Sequence, residues 1–477
     1  MEVNIPCSTI LSQKQIEQVH ETSIKILSEI GVSTDSEKII SLFENAGAHI
    51  NVDEKRIKIS EDLITNAIKT CPKEIKLCGR DPKNDILVKE GDVFFGLGGT
   101  GVPYIRDVQT GKIRTPVKKD VENSAILGDA LSNISIVMTL ASANDCPGKV
   151  QYLHELEAKY NNTMKPVLHP SPGAWFSKKL LAMAEVVAGG TEEFKKRPNI
   201  GVISQNLSPL YFSKETENII EFSKKKAPVI LLPAPTFAST APGTMIGTFS
   251  LANAEALFGV VLSQLTNPGA PVVMGPATGI MDMRTTIYCY TDIGTCMGKI
   301  LTAQMARYYG LPSFCAATGA SDAKIPDAQA GSEAAFSALT GAQSGVSILY
   351  NVGTMAGGNL GCFEMALVGN EILGMIQHML KGVKVNTETL AFDVIQEIGP
   401  QGNFLSHNHT LSSFRKELYF YQLFDRESVQ AWMKKGEKDI LHKANERVKD
   451  IIKNHKVPEL PGDKKEDLSK IIEAALK

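Results

Sequence analysis

A closed (β/α)8 (TIM) barrel between two smaller regions is the fold the sequence predicts, and three observations predict it. Eight short apolar runs recur, at residues 93–95, 134–140, 166–169, 200–204, 228–233, 271–275, 312–316 and 347–351. Each is followed by a stretch whose apolar positions have helical spacing. The runs lack polar alternation, which suits strands buried on both faces, as in a parallel sheet covered by helices. Eight such units close into a barrel, whereas an open doubly wound sheet usually stops at about five to seven strands. At 477 residues the chain exceeds a bare barrel of about 250 residues. The expected division is an N-terminal α+β cap over 1–90, the barrel over 91–380 and a C-terminal helical extension over 381–477.

In the cap, apolar positions at Ile16, Val19, Ile24, Ile26, Leu27 and Ile30 predict a helix over 12–30, stopped by Gly31. Helices over 36–46 and 60–69 follow, the second with Glu61 and Asp62 in its first turn, where acidic groups favour the helix dipole. Strand-like pieces fall at 48–52, 56–59 and 74–78. The barrel helices are expected at 120–131, 149–160, 177–188, 214–224, 249–265, 290–309, 327–344 and 363–380. The last three are rich in Ala and Gly, which permits close packing on the strands beneath. Amphipathic helices near 413–424, 428–434 and 437–453 precede a charged tail around 463–467, read as a solvated face.

With 50 basic and 52 acidic residues the chain has a net charge of −2 and no global attraction for nucleic acid or anionic lipid. Residues 1–10 lack a basic segment leading into an apolar core, and no run reaches eighteen uninterrupted apolar residues. A cytoplasmic protein is therefore expected. The cysteines, Cys7, Cys71, Cys78, Cys146, Cys289, Cys296, Cys315 and Cys362, include no CxxC and fit reduced thiols; zinc-finger spacing is absent.

Gly96-Leu97-Gly98-Gly99-Thr100-Gly101 satisfies GxGxxG, but a dinucleotide loop must open a helix, and residues 102–107 read as extended chain. What survives is a rim poor in side chains, approachable by a large planar ligand. The densest polar chemistry follows the seventh run, over 319–331. There Asp322 reads as turn chemistry and Asp327 as a helix N-cap, or both face a cation at the barrel mouth. Gln329 and Glu333, one turn apart, share a helix face. Asn351 ends the eighth run, where barrels carry functional residues. His169 follows the third run, as a core imidazole or a site residue, and Asn206 the fourth. Arg284 either pairs with Asp282 or holds a substrate carboxylate.

The stretches Leu349-Tyr350-Asn351-Val352-Gly353-Thr354-Met355, Gly369-Asn370-Glu371-Ile372-Leu373-Gly374-Met375 and Gly399-Pro400-Gln401-Gly402-Asn403-Phe404-Leu405, with His409-Thr410 and Arg415, resemble the trimethylamine methyltransferase (MttB) superfamily. The resemblance extends over the whole chain, to Asp425-Arg426, Trp432 and Gly436. It implies pyrrolysine in the loop after strand eight of the trimethylamine enzymes; this chain has ordinary residues, with Gly357-Gly358 in about that place. The chain is thus similar to the non-pyrrolysine branch, whose members demethylate quaternary amines such as glycine betaine, proline betaine and carnitine. They pass the methyl group to cobalamin carried by a small corrinoid protein.

The resemblance implies an in-line displacement on a quaternary nitrogen. The departing tertiary amine is neutral and needs no proton, so no acid, base or tightly bound metal is obligatory, and positioning dominates. Asn351, Gln329 and Asp327 are the expected catalytic residues. Asn206, His169, Glu333 and Arg284, with the aromatic faces of Trp175, Tyr350, Phe363 and Phe404, are expected to bind substrate. Gly98, Gly99, Gly357 and Gly358 are expected to meet the corrin. The expected partners are the corrinoid protein and a small quaternary amine, with no nucleic acid and no membrane, in a homo-oligomer whose interfaces include the C-terminal helices. Other readings remain: a methyltransferase for a tertiary or secondary amine, a tetrahydrofolate-linked enzyme, and a non-catalytic binder of methylated amines.

Overall fold

A computed structural model describes residues 8–477. Cys7 and most of the stretch read above for a leader lie outside the described residues. Each apolar run overlaps one barrel strand: β1 (Phe94–Thr100), which continues five residues past its run, β2 (Ile136–Thr139), β3 (Val167–Pro170), β4 (Ile200–Ser204), β5 (Val229–Leu231), β6 (Val272–Met274), β7 (Phe314–Cys315) and β8 (Ile348–Val352). Neighbours in this order pair in parallel, and β8 returns to pair with β1. Between β6 and β7 the circle is closed by a single bridge, Met274 to Ser313, with the Met274 amide donating to the Pro312 carbonyl at 2.9 Å.

The alternation of each strand sends Ile136, Met138, Leu168, Ile203, Ile230, Val273, Phe314, Ile348 and Tyr350 into one interior cluster. A two-stranded hairpin, Ile75–Leu77 with Ile86–Val88, adds Ile75, Leu77 and Val88 to that cluster. The hairpin immediately precedes β1, so it plugs the N-terminal end of the barrel and leaves the C-terminal end for chemistry.

The helices are α1 (Lys118–Ala130), α2 (Gln151–Asn162), α3 (Gly173–Ala188), α4 (Glu217–Lys224), α5 (Met245–Thr266), α6 (Ile293–Tyr309), α7 (Ala328–Gln343) and α8 (Phe363–Leu380). The predicted helix over 214–224 begins as a short 3-10 turn at Lys214–Thr216. α6 starts later than predicted because Asp292 caps it, accepting from the Gly294 amide at 2.7 Å; Tyr290 and Thr291 stay outside. α5 is long and apolar enough to cross a membrane, yet 83% of that window is buried within the protein. Its outer face is covered by the N-terminal region, where Phe43 stacks on Phe258 at 4.5 Å. Asn253 donates to Ser23 Oγ and Tyr309 Oη, both at 2.9 Å. The N-terminal helices therefore form a layer on the barrel flank and share its core, while only the plug hairpin covers an end.

The predicted extended chain after β1 is a strand, Tyr104–Arg106, in a small sheet with Ile113–Arg114 and the hairpin Thr354–Met355/Leu360–Gly361. In the C-terminal extension, helix Ile440–Asn454 buries Ala444, Val448 and Ile451. The charged tail forms the exposed first turn of a helix, Gly462–Leu476, that buries Leu468, Ile472 and Ala475. Residues 408–417 are helical, and the predicted helix over 413–424 stops at Glu417.

Candidate active site

The mouth of the barrel is organised around a hairpin, Ile280–Met281 with Tyr288–Cys289, that rises after β6 and delivers Tyr288 and Tyr290. Asp322, in the loop after β7, holds its end: one carboxylate oxygen accepts from the Tyr290 amide and the other from the Thr291 amide and hydroxyl, each at 2.8 Å. Glu333, on the second turn of α7, accepts from Ser321 Oγ at 2.6 Å, the Asp322 amide at 2.7 Å and Gln329 Nε2 at 2.8 Å. Burial pushes the Glu333 carboxyl up, but the Ser321, Gln329 and Asp322 hydrogen bonds outweigh it and hold the group below its ordinary value.

Asn351 has a left-handed φ of 88° at the end of β8. Its Oδ1 accepts from the Tyr290 hydroxyl at 2.7 Å and the Ala317 amide at 3.0 Å, joining the loops after β6 and β7 to β8. Tyr350 points the opposite way, into the barrel, and stacks on Phe314 with ring centroids 4.3 Å apart. Tyr288 and Tyr290 lie 6.1 Å apart. Burial pushes the Tyr288 phenol up to about 12 and raises those of Tyr290 and Tyr350 well above the ordinary value, so all three are neutral rings at pH 7.

Across the barrel, His169 and Asn206 are buried. His169 Nδ1 donates to the Pro170 carbonyl at 2.8 Å. Burial, then the nearby Lys159 charge, lowers its pKa well below the ordinary value. Because Leu168 faces the interior, His169 points behind the wall, toward Tyr152 of α2. There Lys159 Nζ donates to Thr139 Oγ1 at 2.8 Å, and Glu155 accepts from the Ala143 amide at 3.0 Å. His169 is a wall residue.

The structure places the other expected positions as follows. Arg284 is on the exposed hairpin tip, bonded to Asp282 at 2.7 Å, because a turn of two residues folds the guanidinium back on its neighbour. Trp175 is a partly exposed residue of α3, edge-on to Phe176, and Phe363 is core at the start of α8. Phe404 is exposed in the C-terminal extension. Asp327 is the N-cap of α7, accepting from the Ala330 amide at 3.1 Å. Gly98 and Gly99 are buried, so they offer no bare rim: a methyl group on Gly98 would lie 2.7 Å from the Leu140 amide, and one on Gly99 would strike the Asn351 amide. Gly357 and Gly358 do stand at the mouth, half-buried, over the Tyr288 carbonyl and the Tyr290 ring. Tyr288 and Tyr290 were not among the expected site residues; the aromatic pair at i and i+2 just before a helix cap is the signal that points to them. Among the described residues, no group of three His, Cys, Asp or Glu is gathered to hold a metal ion.

The fold and the mouth together define a (β/α)8-barrel enzyme whose polar side chains converge from the loops after β6, β7 and β8. The family model for trimethylamine methyltransferase (MTTB) matches residues 1–475. The chain belongs to that family and is a methyltransferase. It is 33% identical over 463 residues to trimethylamine methyltransferase MttB of Desulfitobacterium hafniense (strain DSM 10664 / DCB-2), covering 97% of this chain and 93% of the relative. It is 30% identical over 459 residues to the glycine betaine methyltransferase of Desulfitobacterium hafniense (strain Y51), covering 96% and 95%. The monomethylamine methyltransferase (MtmB) structure from Methanosarcina barkeri superposes with a TM-score of 0.52 at 14% identity over 94% of this chain and 90% of that one, which shows the same fold.

Proposed function

We propose that this chain is a cytoplasmic quaternary-amine:corrinoid-protein methyltransferase that takes a methyl group from a betaine-type substrate. The observation that carries the reading is the pair of neutral tyrosine rings, Tyr288 and Tyr290, on the β6–β8 side of the mouth, with the Tyr350 ring buried in the barrel interior. Aromatic faces attract a quaternary ammonium by about 0.5–2 kcal/mol each and need no hydrogen bond from it. The sequence contains no pyrrolysine, which the resemblance implies for the trimethylamine enzymes, and the glycine betaine relative matches over nearly its whole length.

The carboxylates suit this task because their lone pairs are engaged by the protein itself. Asp322 serves two backbone amides and a hydroxyl, and Glu333 serves Ser321, Gln329 and a backbone amide. A bare carboxylate would stabilise the cation in the ground state, whose charge is lost as the methyl group departs, and so would raise the barrier. The engaged carboxylates instead fix the rings. Asn351, tied to Tyr290 and Ala317, sets the distance between the loop ends and the methyl group. Gln329 braces Glu333.

The corrinoid, when bound, supplies the cobalt(I) nucleophile that accepts the methyl group. The Gly357-Gly358 turn fits that partner: it is poor in side chains and half-exposed, and both glycines have positive φ, 64° and 84°. The Gly98-Gly99 segment is packed under protein atoms and does not fit it.

The test is an anaerobic assay with free or protein-bound cobalamin reduced to cobalt(I), following methylcobalamin absorbance against glycine betaine, proline betaine, carnitine and trimethylamine. Methylcobalamin should form with a quaternary amine. Turnover confined to trimethylamine would overturn the substrate class, and betaine binding without methyl transfer would make the chain a binder.

A further inference from the structure

Where β4 runs out into its loop, the alternation of side chains leaves one polar group in the mouth. Ile203 belongs to the interior cluster. Ser204 Oγ donates to Asn218 Oδ1 of α4 at 2.7 Å, so Ser204 points outward, toward the helices. Asn206 points the same way: with Ser204, Ile219 of α4 and Glu255 of α5 it lines a small cavity behind the wall. Glu255, 1% exposed, fixes the loop that follows by accepting from the Leu210 amide at 2.6 Å and Ser208 Oγ at 2.7 Å. Gln205, set between two outward residues, therefore faces the barrel axis at the C-terminal end of the strand.

Burial follows the same alternation. Ser204 and Asn206 are 3% and 6% exposed, whereas Gln205 between them is exposed. A side chain open to solvent between two buried neighbours projects into free space, and at this end of a barrel strand that space is the mouth. Its carboxamide makes no hydrogen bond to the described residues. In a ring of eight strands β4 stands opposite β8, whose Asn351 holds Tyr290. The interior of an eight-stranded barrel is wide enough for one small ligand, so groups on opposite walls can touch the two ends of the same molecule.

The cations around the mouth are engaged by the protein itself. Arg284 pairs with Asp282, and Lys324 donates to the Asp322 carbonyl at 2.7 Å. Lys159 and Lys299 are buried behind the strands, on Thr139 and on the Ala317 and Ser337 carbonyls. A carboxylate entering the mouth meets an amide donor in Gln205 instead.

We propose that Gln205 determines specificity for the tail of the substrate, its Nε2 donating to the carboxylate of a betaine whose ammonium head rests on Tyr288 and Tyr290. Given the betaine reading above, on which this assignment rests, Gln205 is the group that distinguishes a carboxylate tail from none. The carboxylate keeps its charge while the methyl group leaves. The hydrogen bond is therefore as strong in the ground state as in the transition state, and it acts on KM rather than kcat.

The experiment uses the full chain, its Gln205→Leu and Gln205→Glu variants, and two kinds of quaternary amine. One carries a carboxylate: whichever of glycine betaine, proline betaine and carnitine is turned over fastest. The others, tetramethylammonium and choline, carry none. Calorimetry without corrinoid reads binding, and methylcobalamin absorbance with cobalt(I) cobalamin reads turnover. Gln205→Leu should weaken betaine binding about 10- to 100-fold relative to tetramethylammonium, the range of a hydrogen bond to a charged group. The loss should appear in KM, with kcat changed by less than about threefold. Gln205→Glu should weaken betaine binding further by charge repulsion and turn the preference toward choline, whose hydroxyl can donate to the new carboxylate. Equal losses for betaine and tetramethylammonium, a fall in kcat alone, or unchanged betaine binding in both variants would each overturn the proposal. A wild type active on tetramethylammonium or choline but on no betaine would overturn the tail contact and keep the quaternary head. One active on none of them would overturn the substrate class argued above.

Discussion

Asn351 shows how one side chain ties three strand ends together. Its amide oxygen is the shared acceptor for Tyr290 and Ala317, and its Nδ2 lies so close to Gly99 that no side chain fits there. Asn351→Ala removes the acceptor and keeps a left-handed backbone that Asn tolerates better than Ala. Single-turnover methyl transfer should fall more than tenfold, while urea unfolding shifts by only about 1–3 kcal/mol. Near-normal turnover would take Asn351 out of the site. A different residue reports on burial. Lys299, on α6, donates to the Ala317 and Ser337 carbonyls at 2.8 and 3.0 Å, and desolvation pulls it from 10.5 down to about 8. Between those values the unfolded chain holds a proton that the folded chain has lost, so this group makes stability rise with pH. Relative to Lys299→Met, the wild type should gain on the order of 2–3 kcal/mol between about pH 8 and 10.5. Equal pH profiles for the two proteins would show that Lys299 stays charged when folded.

At the scale of elements, the plug hairpin makes a separable prediction. Leu77 is 1% exposed and packs in the interior cluster at the end opposite the mouth. Leu77→Ala should cost about 2–4 kcal/mol of stability, read as a lower denaturant midpoint at unchanged slope, and leave the turnover of folded protein intact. A selective loss of turnover would mean that the plug shapes the mouth. The eight strands were legible because each is buried on both faces and so writes an uninterrupted apolar run. The hairpin carrying Tyr288 and Tyr290 was not, because its two strands are two residues each and Asp282-Met283-Arg284-Thr285 reads as any polar turn. Glycine misled for a related reason. Gly98 and Gly99 look like open rim in sequence, yet they are small because Leu140 and Asn351 already occupy the space. Asp322 meets Thr291 across 31 positions, a separation that leaves no local pattern.

At the scale of the molecule, the N-terminal layer, the barrel and the last helix share one hydrophobic cluster, reaching from Ile16 through Phe258 to Ile472. Unfolding should therefore be a single transition, and removal of residues 8–70, which bares the outer face of α5, should yield aggregated protein in sedimentation rather than a folded barrel. The barrel wall is not equally strong around its circumference. β8 and β1 pair over several residues, whereas β6 and β7 meet at the single Met274–Ser313 bridge, directly beneath the hairpin that bears the tyrosines. In deuterated buffer the Met274 amide should exchange well before the backbone amides of β1 and β8, and a saturating quaternary amine should slow it. The wall would then breathe on the side where the methyl donor must enter.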